Sequence, residues 1–284
     1  MSPLVSTAPL VSTQWLAAHL DTVRVVDASW YMPGDKREPA KEFLAAHLPG
    51  AVFFDIDAIA DHATDLPHMM PGADAFAEAA RGLGLSDADT LVVYDGTGIF
   101  SAPRVWWALR AMGHDNVFVL DGGLPKWRRE GRAIESGAAA PKPGNFQARP
   151  VAALARDYDA VRAHLAAGDA QIVDARSASR FTGEEKEPRP GLKSGHMPGA
   201  VNLPWRALLT HDNTLKDDDA LRALFAEKGI DLRAPIVTTC GSGISAAIVM
   251  LALVKIGARD VALYDGSWAE WGSRAGAPVA CIAG

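Results

Sequence analysis

The sequence has few cysteines, no long apolar run and no early basic cluster. Cys240 and Cys281 are the only cysteines among 284 residues, too few for a disulfide framework, so we expect a reducing, cytoplasmic location. The longest apolar stretch, Ala246 to Val254, is about half the roughly 20 residues that a membrane helix needs. The first basic residue is Arg24, which argues against a secretory signal. We therefore expect no membrane association.

The chain also lacks an excess of positive charge and a metal-ligand pattern. Its formal net charge of −6 argues against a nucleic-acid partner. Cysteine and histidine pairs with metal-ligand spacing are not matched by second pairs, so we expect no metal site and no cofactor. The balance of 49% apolar and 22% charged residues is typical of a globular protein. The length suits two domains of about 140 residues each.

An internal repeat divides the chain. Short motifs recur in the same order in the two halves, which indicates one domain duplicated. Between the copies, residues 136–150 are rich in small residues and proline, which is typical of an extended linker. We therefore predict an N-terminal domain over 1–135, a linker over 136–150 and a C-terminal domain over 151–284. The matching motifs are 27–29 with 174–176, 47–52 with 196–201, and 121–127 with 265–271.

Within each copy, short β-rich runs alternate with helical stretches. In the second copy, a β-branched strand over 235–239 precedes a loop and an apolar helix over 246–256. This alternation predicts an α/β fold in which each domain is a parallel β-sheet flanked by helices. Functional sites in such sheets form at the carboxyl ends of the strands.

Cys240 lies at such a strand end and opens a glycine-rich loop, Cys-Gly-Ser-Gly-Ile-Ser, that leads into the apolar helix. The glycines allow successive N–H groups to point inward, and the helix start adds its positive dipole end. Such a loop stabilises a thiolate or a persulfide. The commoner role of a lone cysteine is a small buried residue, but the strand, cysteine, loop and helix together favour a nucleophile. In the first copy, Asp95 occupies the cysteine position, so we expect that domain to be inactive.

The loop resembles that of the two-domain rhodanese-like sulfurtransferases. Members of this family carry Cys-Gly-Ser-Gly-Val-Thr-Ala, and this chain has Cys-Gly-Ser-Gly-Ile-Ser-Ala at 240–246. The likeness extends from about Thr13 to Trp271 and includes the recurring His-x-Pro-Gly-Ala motifs. It implies two tandem rhodanese-like domains and a persulfide on Cys240. The departures, Ile244 and Ser245, are conservative.

The charge of the loop residues indicates which subgroup of the family the chain resembles. Family members that use thiosulfate carry basic residues where this chain has Gly241 and Ser242, so the resemblance points to members that take sulfur from 3-mercaptopyruvate. In those members, arginines that match Arg180 and Arg189 hold the carboxylate and ketone of the substrate, a task that suits the planar guanidinium. The predicted substrate-binding residues are these arginines together with Gly241, Gly243, Ile244 and Ser245. The implied partners are 3-mercaptopyruvate and a thiol acceptor such as thioredoxin, or cyanide.

The resemblance also implies a proton relay. Ser242 of the loop, with His68 and Asp57 from the first domain, matches an activating relay proposed in the family. A histidine can take a proton through a serine while a carboxylate orients its ring. Taken alone, His68 is a loop histidine and Asp57 a turn residue. The relay would place the site in the cleft between the domains.

Three other functions remain as alternatives. A thiosulfate-preferring sulfurtransferase would share the fold, and donor kinetics would distinguish it. A phosphatase with a Cys-x5-Arg loop is disfavoured because the sixth residue after Cys240 is Ala246. A non-enzymatic sulfur-binding module would hold a persulfide without turnover. We interpret Cys281 as a bystander, and Trp106, Trp107, Trp127, Trp268 and Trp271 as packing residues.

Overall fold

The computed structural model describes residues 8–281. Within this range the chain forms two layered α/β units of the same design, as the internal repeat predicts. In the first unit, the strands are β1 (Leu10–Val11), β2 (Arg24–Asp27), β3 (Val52–Phe53), β4 (Leu91–Tyr94) and β5 (Val117–Leu120). Its helices are α1 (Thr13–His19), α2 (Pro39–Ala45), α3 (Ala73–Gly82), α4 (Ala102–Ala111) and α5 (Gly123–Arg129).

The second unit repeats this order. Its strands are β6 (Ala155–Arg156), β7 (Gln171–Asp174), β8 (Val201–Asn202), β9 (Ile236–Thr239) and β10 (Val261–Tyr264). Its helices are α6 (Tyr158–Ala167), α7 (Ala178–Thr182), α8 (Asp218–Glu227), α9 (Ala246–Lys255) and α10 (Ser267–Trp271). The predicted helix over 246–256 corresponds to α9, which ends one residue earlier.

Both sheets are parallel and equivalent in strand order. The first runs β1-β5-β4-β2-β3, and the second runs β6-β10-β9-β7-β8. Side chains of β4 alternate between two apolar clusters, with Leu91 and Val93 on one side and Val92 and Tyr94 on the other. Both faces of the sheet are therefore covered, which is why the central strands read as continuous apolar runs. The predicted α/β fold class is confirmed.

The two units pack against each other through equivalent helices. Helix α4 of the first unit contacts helix α9 of the second, and one apolar cluster continues across the contact. Each of these helices follows the glycine-rich loop of its own unit. The packing therefore brings both loops, and with them Asp95 and Cys240, to the interface between the units.

Residues 136–150 connect the units without a regular helix or strand. This segment is nonetheless fastened to the first unit, because Phe146 is fully buried and its N–H donates to the carbonyl of Leu85 at 3.2 Å. Gly144 passes so close that an added Cβ would lie 1.9 Å from the Leu85 oxygen. None of the helices within residues 8–281 is both long and apolar enough to cross a membrane.

The tryptophans interpreted as packing residues are buried, which confirms that interpretation. The indole N–H of Trp107 in α4 donates to the carbonyl of Leu154 at 2.8 Å, across the boundary between the units. A buried tryptophan ring keeps its large apolar area out of water while its N–H finds an acceptor. All five of these tryptophans are less than 2% exposed, namely Trp106, Trp107, Trp127, Trp268 and Trp271.

Candidate active site

Cys240 lies directly after β9 and is 2% exposed. Its backbone is held from behind by the start of α10. The Cys240 N–H donates to Ser267 Oγ at 3.2 Å, and the Cys240 carbonyl accepts from the N–H of Trp268 at 2.9 Å. The next carbonyl, that of Gly241, accepts from Ala269 at 2.9 Å. The start of α10 thus engages the carbonyl groups of both Cys240 and Gly241.

The first unit shows what this loop geometry binds. The Asp95 carboxylate is completely buried and accepts hydrogen bonds of 2.8–2.9 Å from backbone N–H groups of its own loop. The donors are Thr97, Gly98, Phe100, Ser101 and Ala102. Such a ring of inward N–H groups is a binding site for an anion. In the first unit that anion is the protein's own carboxylate.

The matching donors in the second unit have no such partner. Among residues 8–281, no hydrogen bond takes up the backbone N–H groups of Ser242, Gly243 or Ser245. The side chain at the Asp95 position is here Cys240, which is one heavy atom shorter in reach than a carboxylate. A persulfide on Cys240 would extend its outer sulfur toward these donors, and they would stabilise its negative charge.

Arg180 borders the loop from α7. Its Nη2 would lie 3.1 Å from a Cβ added to Gly241, so the guanidinium lies directly beside the loop backbone. The guanidinium is oriented by Glu187, whose Oε2 lies 2.5 Å from Nη2. Glu187 is buried and also accepts from Nη1 of Arg176 at 2.8 Å. The buried carboxylate of Glu187 therefore orients Arg180 beside the loop.

Arg189 is the second cation of this region. Within residues 8–281 its side chain has no hydrogen bond or ion pair, although it is half-buried. Burial lowers the pKa of the Arg189 guanidinium, while the charges of Cys240, Glu187 and Asp57 act in the opposite direction. An arginine remains protonated at physiological pH despite such a shift. Arg189 therefore presents an uncommitted positive charge beside Cys240.

Asp57 and His68 form one half of the predicted relay. Nδ1 of His68 lies 2.8 Å from Oδ1 of Asp57, and the imidazole holds the pKa of the Asp57 carboxyl below its ordinary value. Trp30 fixes both residues, since its indole N–H donates to Asp57 at 2.9 Å and its ring packs edge-on against His68 at 4.8 Å. No hydrogen bond in the described chain joins His68 to Ser242. The structure thus brings together the His68–Asp57 pair but not the link to the loop.

A buried ion pair between the units fastens the His68 segment to the second unit. Nη1 of Arg104 in α4 lies 2.6 Å from Oδ1 of Asp265, directly after β10. Arg104 also donates to the carbonyl of His68, and Asp265 Oδ2 accepts from the N–H of Met70 at 2.8 Å. The same guanidinium would lie 2.6 Å from a Cβ on Gly243. Arg104 therefore contacts both the His68 segment and the cysteine loop.

A cavity of about 440 Å³ opens over Cys240 between the two units. The predicted residues on its lining are Cys240, Gly241, Ser242, Ile244, Ser245, Arg180 and Arg189. Gly243 faces Arg104 instead, and His68 and Asp57 lie behind Trp30. The lining residues that sequence reasoning missed include Trp30, Met32, Arg37, Phe100, Trp205 and Arg206. No local motif marks them, because folding alone brings them from distant segments to one cleft.

The comparison with known proteins agrees with this architecture. The rhodanese-like domain family matches residues 12–130 and 157–274, one match for each unit. This chain belongs to the two-domain rhodanese-like sulfurtransferases. The resemblance stated from the loop sequence is therefore confirmed.

Individual members of the family are similar over nearly the whole chain. A 3-mercaptopyruvate sulfurtransferase of Escherichia coli is 45% identical over 280 residues, covering 97% of this chain and 99% of that protein. A thiosulfate sulfurtransferase of Bos taurus is 43% identical over 275 residues, covering 94% and 92%. The crystal structure of SseA from Escherichia coli, described as a 3-mercaptopyruvate sulfotransferase with the rhodanese fold, superposes with a TM-score of 0.85. It is 42% identical and covers 92% of this chain and 99% of that one.

Proposed function

We propose that this rhodanese-like protein moves sulfur from 3-mercaptopyruvate, through a persulfide on Cys240, to a thiol acceptor or to cyanide, and releases pyruvate. The observation that carries the proposal is the distribution of charge around Cys240. Its loop neighbours Gly241 and Ser242 are uncharged, whereas Arg180 and Arg189 line the same cavity from the side. Cations placed there suit a donor whose anionic carboxylate is separated by a carbon chain from its reacting sulfur.

The two arginines have different roles in this proposal. Arg189, which has no protein partner, takes the carboxylate of the donor in a bidentate pair. Arg180, already oriented by Glu187, donates to the ketone oxygen. Held at both groups, the donor turns its thiol toward Cys240. The Gly241 backbone allows this approach because it carries no side chain between Arg180 and the loop.

Sulfur transfer to the enzyme follows as a displacement at sulfur. The Cys240 thiolate attacks the sulfur of 3-mercaptopyruvate, an S–S bond forms and the C–S bond breaks. The electron pair of the broken bond stays on carbon as the enolate of pyruvate, whose oxygen is stabilised by Arg180. Protonation of that carbon gives pyruvate. The outer sulfur keeps the proton or the negative charge of the persulfide. It lies among the loop N–H groups of the second unit, which are equivalent to those that bind Asp95 in the first unit.

Ser242, His68 and Asp57 serve proton movement in this scheme. Asp57 is negatively charged at neutral pH, and the neighbouring imidazole lowers the pKa of the carboxyl further. It thereby orients His68 so that Nε2 can exchange a proton through the Ser242 hydroxyl. The contact between His68 and Asp57 supports this assignment.

The second half-reaction regenerates the Cys240 thiolate. A thiolate, such as that of reduced thioredoxin, attacks the outer sulfur, and Cys240 leaves as a thiolate. We expect the protein to work in the cytoplasm, since this cycle needs Cys240 reduced. Both Cys240 and Cys281 are free thiols within the described chain.

Replacing Arg189 by glutamine should impair use of 3-mercaptopyruvate more than use of thiosulfate. The loss of a charge-assisted bidentate contact, about 1.5–3 kcal/mol, corresponds to a decrease of about ten- to hundredfold in kcat/KM. Because Arg189 has no protein partner, its removal leaves no buried acid unpaired. The measurement is initial-rate kinetics at one pH, with pyruvate detected for 3-mercaptopyruvate and thiocyanate detected for thiosulfate with cyanide.

Arg189→Lys is the matched variant, which keeps the charge but not the fork, and should fall between the wild type and Arg189→Gln. Equal losses with the two donors would refute the carboxylate role. A wild-type enzyme with higher kcat/KM for thiosulfate would instead favour a thiosulfate sulfurtransferase, the alternative that the similar bovine protein represents.

A further inference from the structure

The cavity over Cys240 is larger than the donor requires. At about 440 Å³ it falls in the range of pockets that hold drug-sized ligands, whereas 3-mercaptopyruvate is a small keto acid. Both units line the cavity, and on this lining Met32 of the first unit and Arg206 of the second are exposed, whereas Cys240 is buried. The residues around Cys240 thus lie at the buried end of the cavity, and the exposed residues lie at its mouth.

The arginines that line the cavity differ in whether their guanidinium groups form ion pairs with acidic residues. Arg37 bonds to Glu42 at 2.9 Å, and Arg176 and Arg180 bond to Glu187. Among the described residues, the arginines of the lining without an ion pair or side-chain hydrogen bond are Arg189 and Arg206. Arg189 lies beside Cys240 and is assigned to the donor. Arg206 is left as the unpaired cation at the mouth.

Arg206 is exposed, and its guanidinium packs on an aromatic ring and not on an acid. Its guanidinium carbon lies 4.4 Å from the ring centroid of Trp205, and the Trp205 ring packs on Phe100 of the first unit at 5.1 Å. Phe100 in turn stacks on Trp30 at 6.1 Å. An aromatic wall therefore runs from the Trp30–His68 contact to the mouth and ends on a positive charge. Asp35, the acid on this lining, acts on Arg37.

We propose that the outer part of the cavity is an acceptor subsite for a small thiol that carries a carboxylate, with Arg206 as the contact to that carboxylate. The proposal rests on the proposed function, since it concerns the second half-reaction. An acceptor attacks the outer sulfur of the persulfide with its own sulfur, so its carbon chain begins one S–S bond, about 2 Å, beyond the atom to which the donor's carbon chain was attached. Its anionic group accordingly lies nearer the mouth than that of the donor, by Arg206 and not by Arg189.

The reaction at this subsite balances without a further reagent. The acceptor thiolate attacks the outer, protonated sulfur of the Cys240 persulfide, and a new S–S bond forms to the acceptor. The bond between the two persulfide sulfurs breaks, and its electron pair stays on Cys240 as the thiolate. The acceptor leaves as a persulfide that carries the proton. Arg206 binds and orients the acceptor and takes no part in bond making.

The test compares a charged acceptor with its neutral counterpart on the isolated persulfide enzyme. The persulfide is formed with 3-mercaptopyruvate and desalted, and its loss is then timed with 3-mercaptopropionate or with methyl 3-mercaptopropionate. For Arg206→Gln we expect the rate constant with 3-mercaptopropionate to fall about fivefold, as suits an exposed ion pair, and to fall further in Arg206→Glu. The rate constant with the ester should change less than twofold. Arg222→Gln, an exposed arginine on α8, is the control and should match the wild type with both thiols.

The outcomes of this test distinguish the acceptor subsite from the proposed function on which it rests. Failure of wild-type enzyme to form a persulfide from 3-mercaptopyruvate would overturn the proposed function, and the subsite with it. Normal persulfide formation followed by equal rate changes for the acid and the ester would overturn the subsite alone. A slower reaction with reduced thioredoxin, together with an unchanged rate for 3-mercaptopropionate, would also overturn it, because Arg206 would then belong to a protein-docking surface.

Discussion

Replacing Cys240 by serine is expected to abolish sulfur transfer from both 3-mercaptopyruvate and thiosulfate, lowering kcat by at least about a thousandfold. A serine hydroxyl has no lone pair of comparable nucleophilicity at neutral pH and cannot form a persulfide. The substitution is small, and the backbone contacts of Cys240 to Ser267 and Trp268 do not depend on its sulfur. The protein should therefore fold normally and still bind the donor.

The measurement is the steady-state release of pyruvate with a dithiol acceptor present. Cys281→Ser is the matched control, because it removes the other thiol, which is exposed. That variant should keep wild-type kcat within about twofold. Undiminished turnover in Cys240→Ser, or loss of turnover in Cys281→Ser alone, would contradict the assignment of the nucleophile.

Replacing Asp95 by alanine is expected to destabilise the protein by about 5 kcal/mol, at the upper end of single substitutions. The carboxylate is fully buried and is the shared acceptor for five backbone N–H groups, those of residues 97, 98 and 100–102. Each hydrogen bond to a charged group contributes about 1.5–3 kcal/mol, and a buried donor left without an acceptor costs about 1–3 kcal/mol. The loop also starts α4, which packs on α9, so the loss reaches the interface between the units.

Unfolding in urea, followed by tryptophan fluorescence, measures this effect. Asp95→Asn should lose less stability than Asp95→Ala, because the amide oxygen still accepts from part of the ring of donors. Asp115→Ala serves as the control, since the Asp115 side chain is 84% exposed and its removal should change stability by less than about 0.5 kcal/mol. A destabilisation below about 1 kcal/mol for Asp95→Ala would show that water replaces the carboxylate without cost.

Asp95 also explains why only the second unit is predicted to react. The N–H groups of such an anion-binding loop can donate to a carboxylate of the protein itself, and in the first unit they donate to Asp95. The second unit has Cys240 at the same place, whose side chain reaches the donors only after gaining a sulfur atom. The two units therefore share one physical device, which serves stability in the first and chemistry in the second.

The sequence allowed the fold to be predicted because its signals are local and repeated. Strand runs such as that of β9, the apolar helix α9 and the recurring motifs depend on residues close together in the chain. The loop at 240–246 likewise carries its chemistry within a few residues, and so Cys240 could be assigned without coordinates. The family resemblance then added Arg180 and Arg189, which no local pattern distinguishes from a solvated face.

The rest of the site depends on contacts between distant segments. Nothing in the sequence distinguishes Glu187 from its neighbours Glu184 and Glu185, yet its side chain is buried between Arg176 and Arg180. The ion pair of Arg104 with Asp265 joins residues from the two units. Such pairs are specified by tertiary packing, which no periodicity in the sequence reveals. The proton relay has features of both cases. The structure pairs His68 with Asp57, but no hydrogen bond among the described residues joins this pair to Ser242.

The central claim is that sulfur from 3-mercaptopyruvate resides on Cys240 between two half-reactions. Intact-protein mass spectrometry after mixing with 3-mercaptopyruvate, removal of small molecules and exclusion of reductant tests it directly. The account predicts a mass increase of one sulfur atom, located on the peptide that contains Cys240, matched by an equal amount of pyruvate and reversed by a thiol. Pyruvate formed in the absence of added sulfur on Cys240, or sulfur found on Cys281 instead, would contradict it.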